Sequence, residues 1–550
     1  MEHSLLHGLQ LTGLIVVLGG CIFLLGLLRP ACRRLGPDPA RETLAGALSA
    51  GVARWVAVGA LIAGLATFLD LFVLAAETQD RTPFGGVELA LVARLALRTT
   101  VGQLALARIA CLVLAAAATR IPGPSRWSIV AALGAGALWC TALTSHAAAQ
   151  PAARIPAIAA QLVHIAAGAA WLGVLAHLLA ARPTIAADSR PSCLALIAEI
   201  VRRFSPVALT AAGWLLVSGA YAAVRNLHTR AGLVTSAYGL TLLVKLVMVI
   251  PVLVAGIINY RIVRPNLLRL AGRPGPDVWE ERTAWLRRFG RMLELEVSAG
   301  LLVVLIAGIL GSVSPPGEDG SLLLTRVQLN ALLTPALPRT TLVDPASFVG
   351  AATRTVDDLR YAELMHNWSG VFTTAMGLLW LAQGLGPNGA AWVTRVWPLL
   401  LVPLALFISA FADPEVWVLR TVTLREAIVD PGIIEHQLGA ALVLVMVWLG
   451  WRDRRRPPRE RPLGPTLPLV MIGGGVLLLG HAHTSVRATE ELGTLISVQH
   501  AVLGGLALLA GMVRWLSLRG IFPERPARIL WPLLVTAMGV YLTFCYRELT

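Results

Sequence analysis

The chain reads as an all-α, polytopic transmembrane helical bundle of about fourteen spans, arranged as eight plus six, with both termini on the outer side. Three observations carry that reading. Apolar stretches of ~20 residues recur along the whole length, the size a helix needs to cross the hydrocarbon core of a bilayer. Of the 550 residues 56% are hydrophobic and 14% charged, against about 25% charged in soluble domains, and mean hydropathy is +0.71. Basic residues gather in alternate connections, as the positive-inside rule expects of cytoplasmic loops.

The expected spans lie near 5–28, 44–76, 102–119, 127–147, 156–181, 204–224, 240–263, 292–312, 366–385, 392–411, 433–451, 466–481, 497–516 and 530–546. The first run is long enough to span, and Met1-Glu2-His3 lacks the basic start of a cleaved signal. The second run is too long for a straight crossing, so it tilts or continues past the surface. Arginine-rich loops follow spans one, five, seven and eleven; the last of these opens Arg452-Asp453-Arg454-Arg455-Arg456. All are connections of one parity. They fix the cytoplasmic side and place both termini outside, in the periplasm of a bacterium. The net charge of +15 is therefore a topology signal and not a nucleic-acid footprint.

The longest outer segment, 313–365, begins Ser314-Pro315-Pro316-Gly317. It divides the chain into a membrane domain at 1–316, a linker at 317–365 and a second membrane domain at 366–550. A weak internal repeat suggests four plus four spans in the first domain. Span three opens Thr99-Thr100-Val101-Gly102 with Arg108 six residues on, and span seven opens Ser236-Ala237-Tyr238-Gly239 with Lys245 six residues on. Repeats of this kind are common in transporters. The six cysteines form no CxxC pair and read as small packing residues.

Histidine carries the chemistry. Seven of the eleven sit at or near span ends, and the arginine argument puts all seven outside: His146, His164, His366, His436, His481, His483 and His500. An imidazole near hydrocarbon is costly unless paired, hydrated or bound. Several imidazoles with few carboxylates suit copper better than magnesium or calcium. His481 and His483 cannot share one face of a regular helix, so both turn inward only at a fraying end. Met365 and Met376 are candidate soft ligands for Cu(I), with Met365 requiring a loop geometry. His146 and His164 flank one short connection, where their rings can meet across the hairpin; a structural hydrogen bond is the equal alternative. His7 and His3 are lesser members, and His177 reads as a cap near a loop.

Arg54, Asp70, Arg108 and Lys245 lie in or near spans, where charges face a cavity or each other. Arg108 and Lys245 are expected either to pair with Glu294 or Glu296 or to snorkel to an interface, with a gating or proton-linked role as the alternative. Asp413 and Glu415 either attract cations to an entrance or form a turn. Trp368, Trp392, Trp397 and Trp417 read as interfacial belt residues. No Walker loop, phosphorylated-aspartate signature, GxSxG elbow or HExxH is present, so no enzyme and no ATP-driven pump is expected.

Several pieces in order resemble the CopD copper-resistance family of bacterial inner-membrane proteins. They are Thr144-Ser145-His146-Ala147, His164 with Trp171-Leu172-Gly173, Arg203-Phe204-Ser205-Pro206, Tyr238-Gly239 with Lys245, Asn259 with Pro265, Glu294 or Glu296, and Pro315-Pro316. Asp413-Pro414-Glu415-Val416-Trp417, Glu435-His436-Gln437, Gly480-His481-Ala482-His483, Gln499-His500 and Arg514-Trp515 resemble the C-terminal extension of longer members. The resemblance implies copper, as Cu(I) or Cu(II), handled at the periplasmic face of the inner membrane, often beside a small soluble periplasmic copper carrier. It favours a ligand role for His146 and His164. It leaves the direction of transport open, and the long outer loop offers no histidine or methionine before Met365-His366. Two other readings of the same histidines stand beside transport. One is a haem b electron-transfer protein with bis-imidazole ligation. The other is a copper-delivery or assembly factor that moves nothing across the bilayer.

Overall fold

The computed structural model describes residues 2–79, 87–149, 153–187, 191–271, 279–317, 319–351, 354–386, 392–453, 466–481 and 489–549. All regular structure among them is helical. The first half contains α1 (His3–Leu35), α2 (Pro39–Thr78), α3 (Thr100–Ala118), α4 (Arg126–Leu143), α5 (Arg154–Ile185), α6 (Ser192–Leu227), α7 (Ala237–Leu270) and α8 (Glu280–Leu310). The second contains α9 (Val356–Leu385), α10 (Val393–Phe411), α11 (Pro431–Asp453), α12 (Thr466–Gly480), α13 (Glu490–Leu518) and α14 (Glu524–Phe544). Each expected span coincides with one helix. Eleven of the described helices are long and apolar enough to cross a membrane: α1 to α8, α11, α13 and α14. The apolar parts of α10 and α12 are shorter, and α9 carries several polar residues over its first turns.

Helix ends depart from the hydropathy limits where capping chemistry takes over. Helix α9 begins ten residues before the expected start, because the Thr355 side chain accepts from the Asp358 amide and Asp357 and Asp358 sit in its first turn. Carboxylates there complement the helix dipole. Met365 is therefore helical and lacks the loop geometry it would need to ligate beside His366. The linker is not featureless either: Thr325 and Gln328 form a capping box that starts the helix Arg326–Leu333. Helix α2 runs unbroken through 40 residues.

The repeat is visible in local geometry. Thr99 caps α3 by accepting from the Gly102 amide, and Ser236 caps α7 by accepting from the Gly239 amide, both at 3.0 Å. A short helix precedes each cap, Leu89–Arg98 and Gly232–Thr235. A Cβ on Gly102 would come within 3.0 Å of the Leu95 and Ala96 backbone, and one on Gly239 within 3.0 Å of Gly232 and Leu233. Only glycine lets each new helix fold back so tightly on the last turn.

Close backbone approach also orders the second half. Gly370, Gly377 and Gly384 recur every seven residues on α9 and meet Thr543, Thr536 and Arg528 of α14, with no room for a Cβ. Gly475 of α12 and Gly504 of α13 approach each other in the same way. The two halves share an apolar cluster in which Met248, Val252, Leu302 and Ile306 pack with Leu479, Leu508, Met512 and Trp515.

Candidate metal centre

Four of the seven singled-out histidines converge. His366 lies in α9, His436 in α11, His500 in α13, and His481 immediately follows α12. Ring centroids are 5.6 Å apart for His366 and His500, 5.0 Å for His481 and His500, and 5.3 Å for His436 and His481. His483 lies outside the described residues.

Each ring is anchored through the same nitrogen. Nδ1 of His366 donates to the Ala362 carbonyl at 2.8 Å, and Nδ1 of His500 to the Ile496 carbonyl at 2.9 Å. A carbonyl only accepts, so both neutral rings carry the proton on Nδ1 and the lone pair on Nε2. Nδ1 of His436 bonds Asp413 Oδ1 at 2.7 Å, and Nδ1 of His481 bonds Glu435. Carbonyls and carboxylates behind imidazoles are the usual outer partners of metal-binding histidines, fixing tautomer and ring direction. Asp413 is 3% exposed and also accepts from Gln437 Nε2 at 3.2 Å. It is a buried support for His436, not a lure at an entrance.

The C-terminal tail closes one side. Tyr546 is fully buried, stacks on His366 at 3.9 Å and meets His500 edge-on at 6.1 Å. The tail is tied down by Gln499, whose amide exchanges hydrogen bonds with the Arg547 backbone at 2.6 and 2.8 Å. Below the rings opens a cavity of about 330 Å³, lined almost wholly by apolar side chains. Among the described residues, no three His, Cys, Asp or Glu side chains already stand in metal-holding positions. The four rings form a gathered set that must close further to share one ion.

The other candidates are placed differently. His164 Nδ1 bonds the Ser218 hydroxyl of α6 at 2.9 Å. His146 sits in a 3₁₀ turn after α4 with a buried Nε2 that finds no hydrogen-bond partner among the described residues. Among the described residues no contact between these two rings is found, and the Ser218 hydroxyl on α6 holds His164. His3 bonds Asp70 at 2.7 Å and stacks with His7 at 6.5 Å. His177 is no loop cap: it is 2% exposed and bonds the Val16 carbonyl of α1 at 2.9 Å. Glu294 pairs with Arg182 and with Arg519, and Glu296 bonds Asn259, in place of the expected Arg108 and Lys245. Trp397 is 5% exposed and packs on Trp380, so it is a core residue; Trp368, Trp392 and Trp417 are exposed as belt residues should be. Tyr546 and Glu435 were missing from the candidates. Glu435 had one signal, its place beside His436.

Comparison with known proteins bears on the first half. Residues 4–155 match the model of the copper resistance protein D-like N-terminal domain, and residues 198–310 match copper resistance protein D. The N-terminal half belongs to the copper resistance protein D family. The chain is similar to the copper transport protein CutJ of Bacillus subtilis (strain 168), at 30% identity over 183 residues. That stretch covers 33% of this chain and 30% of CutJ. No solved structure matches. The four-histidine cluster lies outside both matched stretches. The chain is thus a multi-pass membrane protein related to copper resistance and transport proteins.

Proposed function

We propose that the protein moves copper at the bacterial inner membrane, taking the ion at the periplasmic face by exchange among histidine ligands. The observation that carries this is the convergence of His366, His436, His481 and His500 from four helices, each with Nδ1 already engaged. That arrangement favours Nε2 ligation, and imidazole suits copper. The CopD half supplies the family context for the metal. The arginine loops support an outward histidine end, and the apolar cavity beneath the rings gives the ion somewhere to go. The protein acts as a carrier and not as an enzyme.

The test is copper uptake or release in sealed vesicles holding the full chain. His481→Ala with His500→Ala should abolish movement at normal expression. Wild-type rates in that double variant would remove the cluster from the mechanism. The apolar cavity also favours the haem b reading. A Soret band from the purified protein would select it over copper.

A further inference from the structure

We propose that the cavity holds a second station for the ion, built from the thioethers of Met376, Met446 and Met471 and selective for Cu(I). This rests on the copper reading of the histidine cluster and extends it into the membrane. Five of the nine methionines in the chain line this one cavity. Three of them repeat a single spacing. Met376 lies ten residues after His366 in α9, Met446 ten residues after His436 in α11, and Met471 ten residues before His481 in α12. Helices α9 and α11 run away from the histidines and α12 runs toward them. All three sulfurs are therefore displaced in the same direction, by about 15 Å at 1.5 Å rise per residue.

They also share one surrounding. Met376 and Met471 are buried in the cluster of Trp380, Trp397 and Trp531, and Met446 packs against it. At that level the cavity is lined by Leu401, Val470 and Val535, with the histidines and Glu435 at its other end. A dipositive ion there would be unpaired and strongly disfavoured. A monopositive soft ion held by neutral thioethers fits both the charge and the ligand type. Methionine also serves as adaptable packing, and the two roles separate cleanly: leucine conserves volume and removes the sulfur.

The experiment uses the full chain in detergent with selenium-labelled methionine, loaded with Cu(I) under reducing conditions. Wild type should bind two ions per chain, with selenium scatterers in the copper absorption spectrum. Met376→Leu/Met446→Leu/Met471→Leu should lose one ion and the selenium signal while keeping the nitrogen-bound ion. His481→Ala/His500→Ala should show the reverse loss. Should the triple variant fail to fold, each single Met→Leu variant should lower the selenium signal stepwise. Unchanged stoichiometry and selenium signal in the Met→Leu variants overturns the inference. One nitrogen-bound ion in wild type overturns the thioether station alone, whereas no bound copper at all overturns both it and the histidine reading.

Discussion

At the scale of single residues, the proposed function rests on which nitrogen of each imidazole is occupied. Asp413 and Glu435 hold Nδ1 of His436 and His481. Losing such outer partners typically weakens metal binding 10–100-fold. Asp413→Asn and Glu435→Gln should each weaken copper binding within that range, read by competition with a chelator of known affinity, without changing the number of sites. No change in affinity would mean the carboxylates serve packing alone. The sequence shows the histidines plainly, because imidazoles among apolar runs are conspicuous. It hides their partners. Asp413 lies 23 residues from His436 and Glu435 lies 46 residues from His481, and only the packing of α10, α11 and α12 brings them together. His164 shows the converse. Hydropathy placed it in the first half of its span, and a serine on α6 engages its ring.

At the scale of helices, hydropathy locates a helix at every expected span, eleven of them long and apolar enough to cross a membrane, and misjudges several ends. Apolar periodicity stops at the membrane surface, whereas hydrogen bonding does not, so α9 starts at its Thr355 cap and α2 at its Asp38 cap. The Arg41 amide holds the Asp38 carboxyl below the usual carboxylate range. That cap is complete above about pH 4 and is lost as pH falls through the lowered value. Amide exchange at the start of α2 should speed up with acid beyond its intrinsic rate, and Asp38→Ala should show the fast exchange at neutral pH. The repeated turns make a paired prediction. Gly102→Leu and Gly239→Leu should each destabilise by about 1–3 kcal/mol, the usual cost of overpacking, and lower the melting temperature in detergent by similar amounts. A large effect at one site and none at the other would argue against equivalence of the two turns. The sequence displayed this repeat as two short matches; the structure adds the short preceding helix and the glycine contact.

For the whole molecule, imidazoles gather at one end of an apolar cavity, and the arginine-rich connections are expected on the opposite side of the membrane. Arg519 of the second half reaches Glu294 of the first at 3.2 Å, so the halves meet in charge as well as in the shared apolar cluster. The long polar linker suggests a division into two halves, but the cluster that joins them is not legible in the sequence, because its members come from helices distant along the chain. The orientation is tested by cysteines introduced at exposed positions. A cysteine at Leu333 should react with an impermeant maleimide from the periplasmic side, and one at Arg287 should not. The reverse pattern would invert the direction of capture. The measurement that bears most directly on the central claim is copper bound per purified chain. Wild type should retain copper on three or four nitrogens at about 2.0 Å, taking metal–imidazole bonds as a guide, and His481→Ala/His500→Ala should lose that nitrogen-bound copper. Equal nitrogen-bound copper in the two proteins would contradict it.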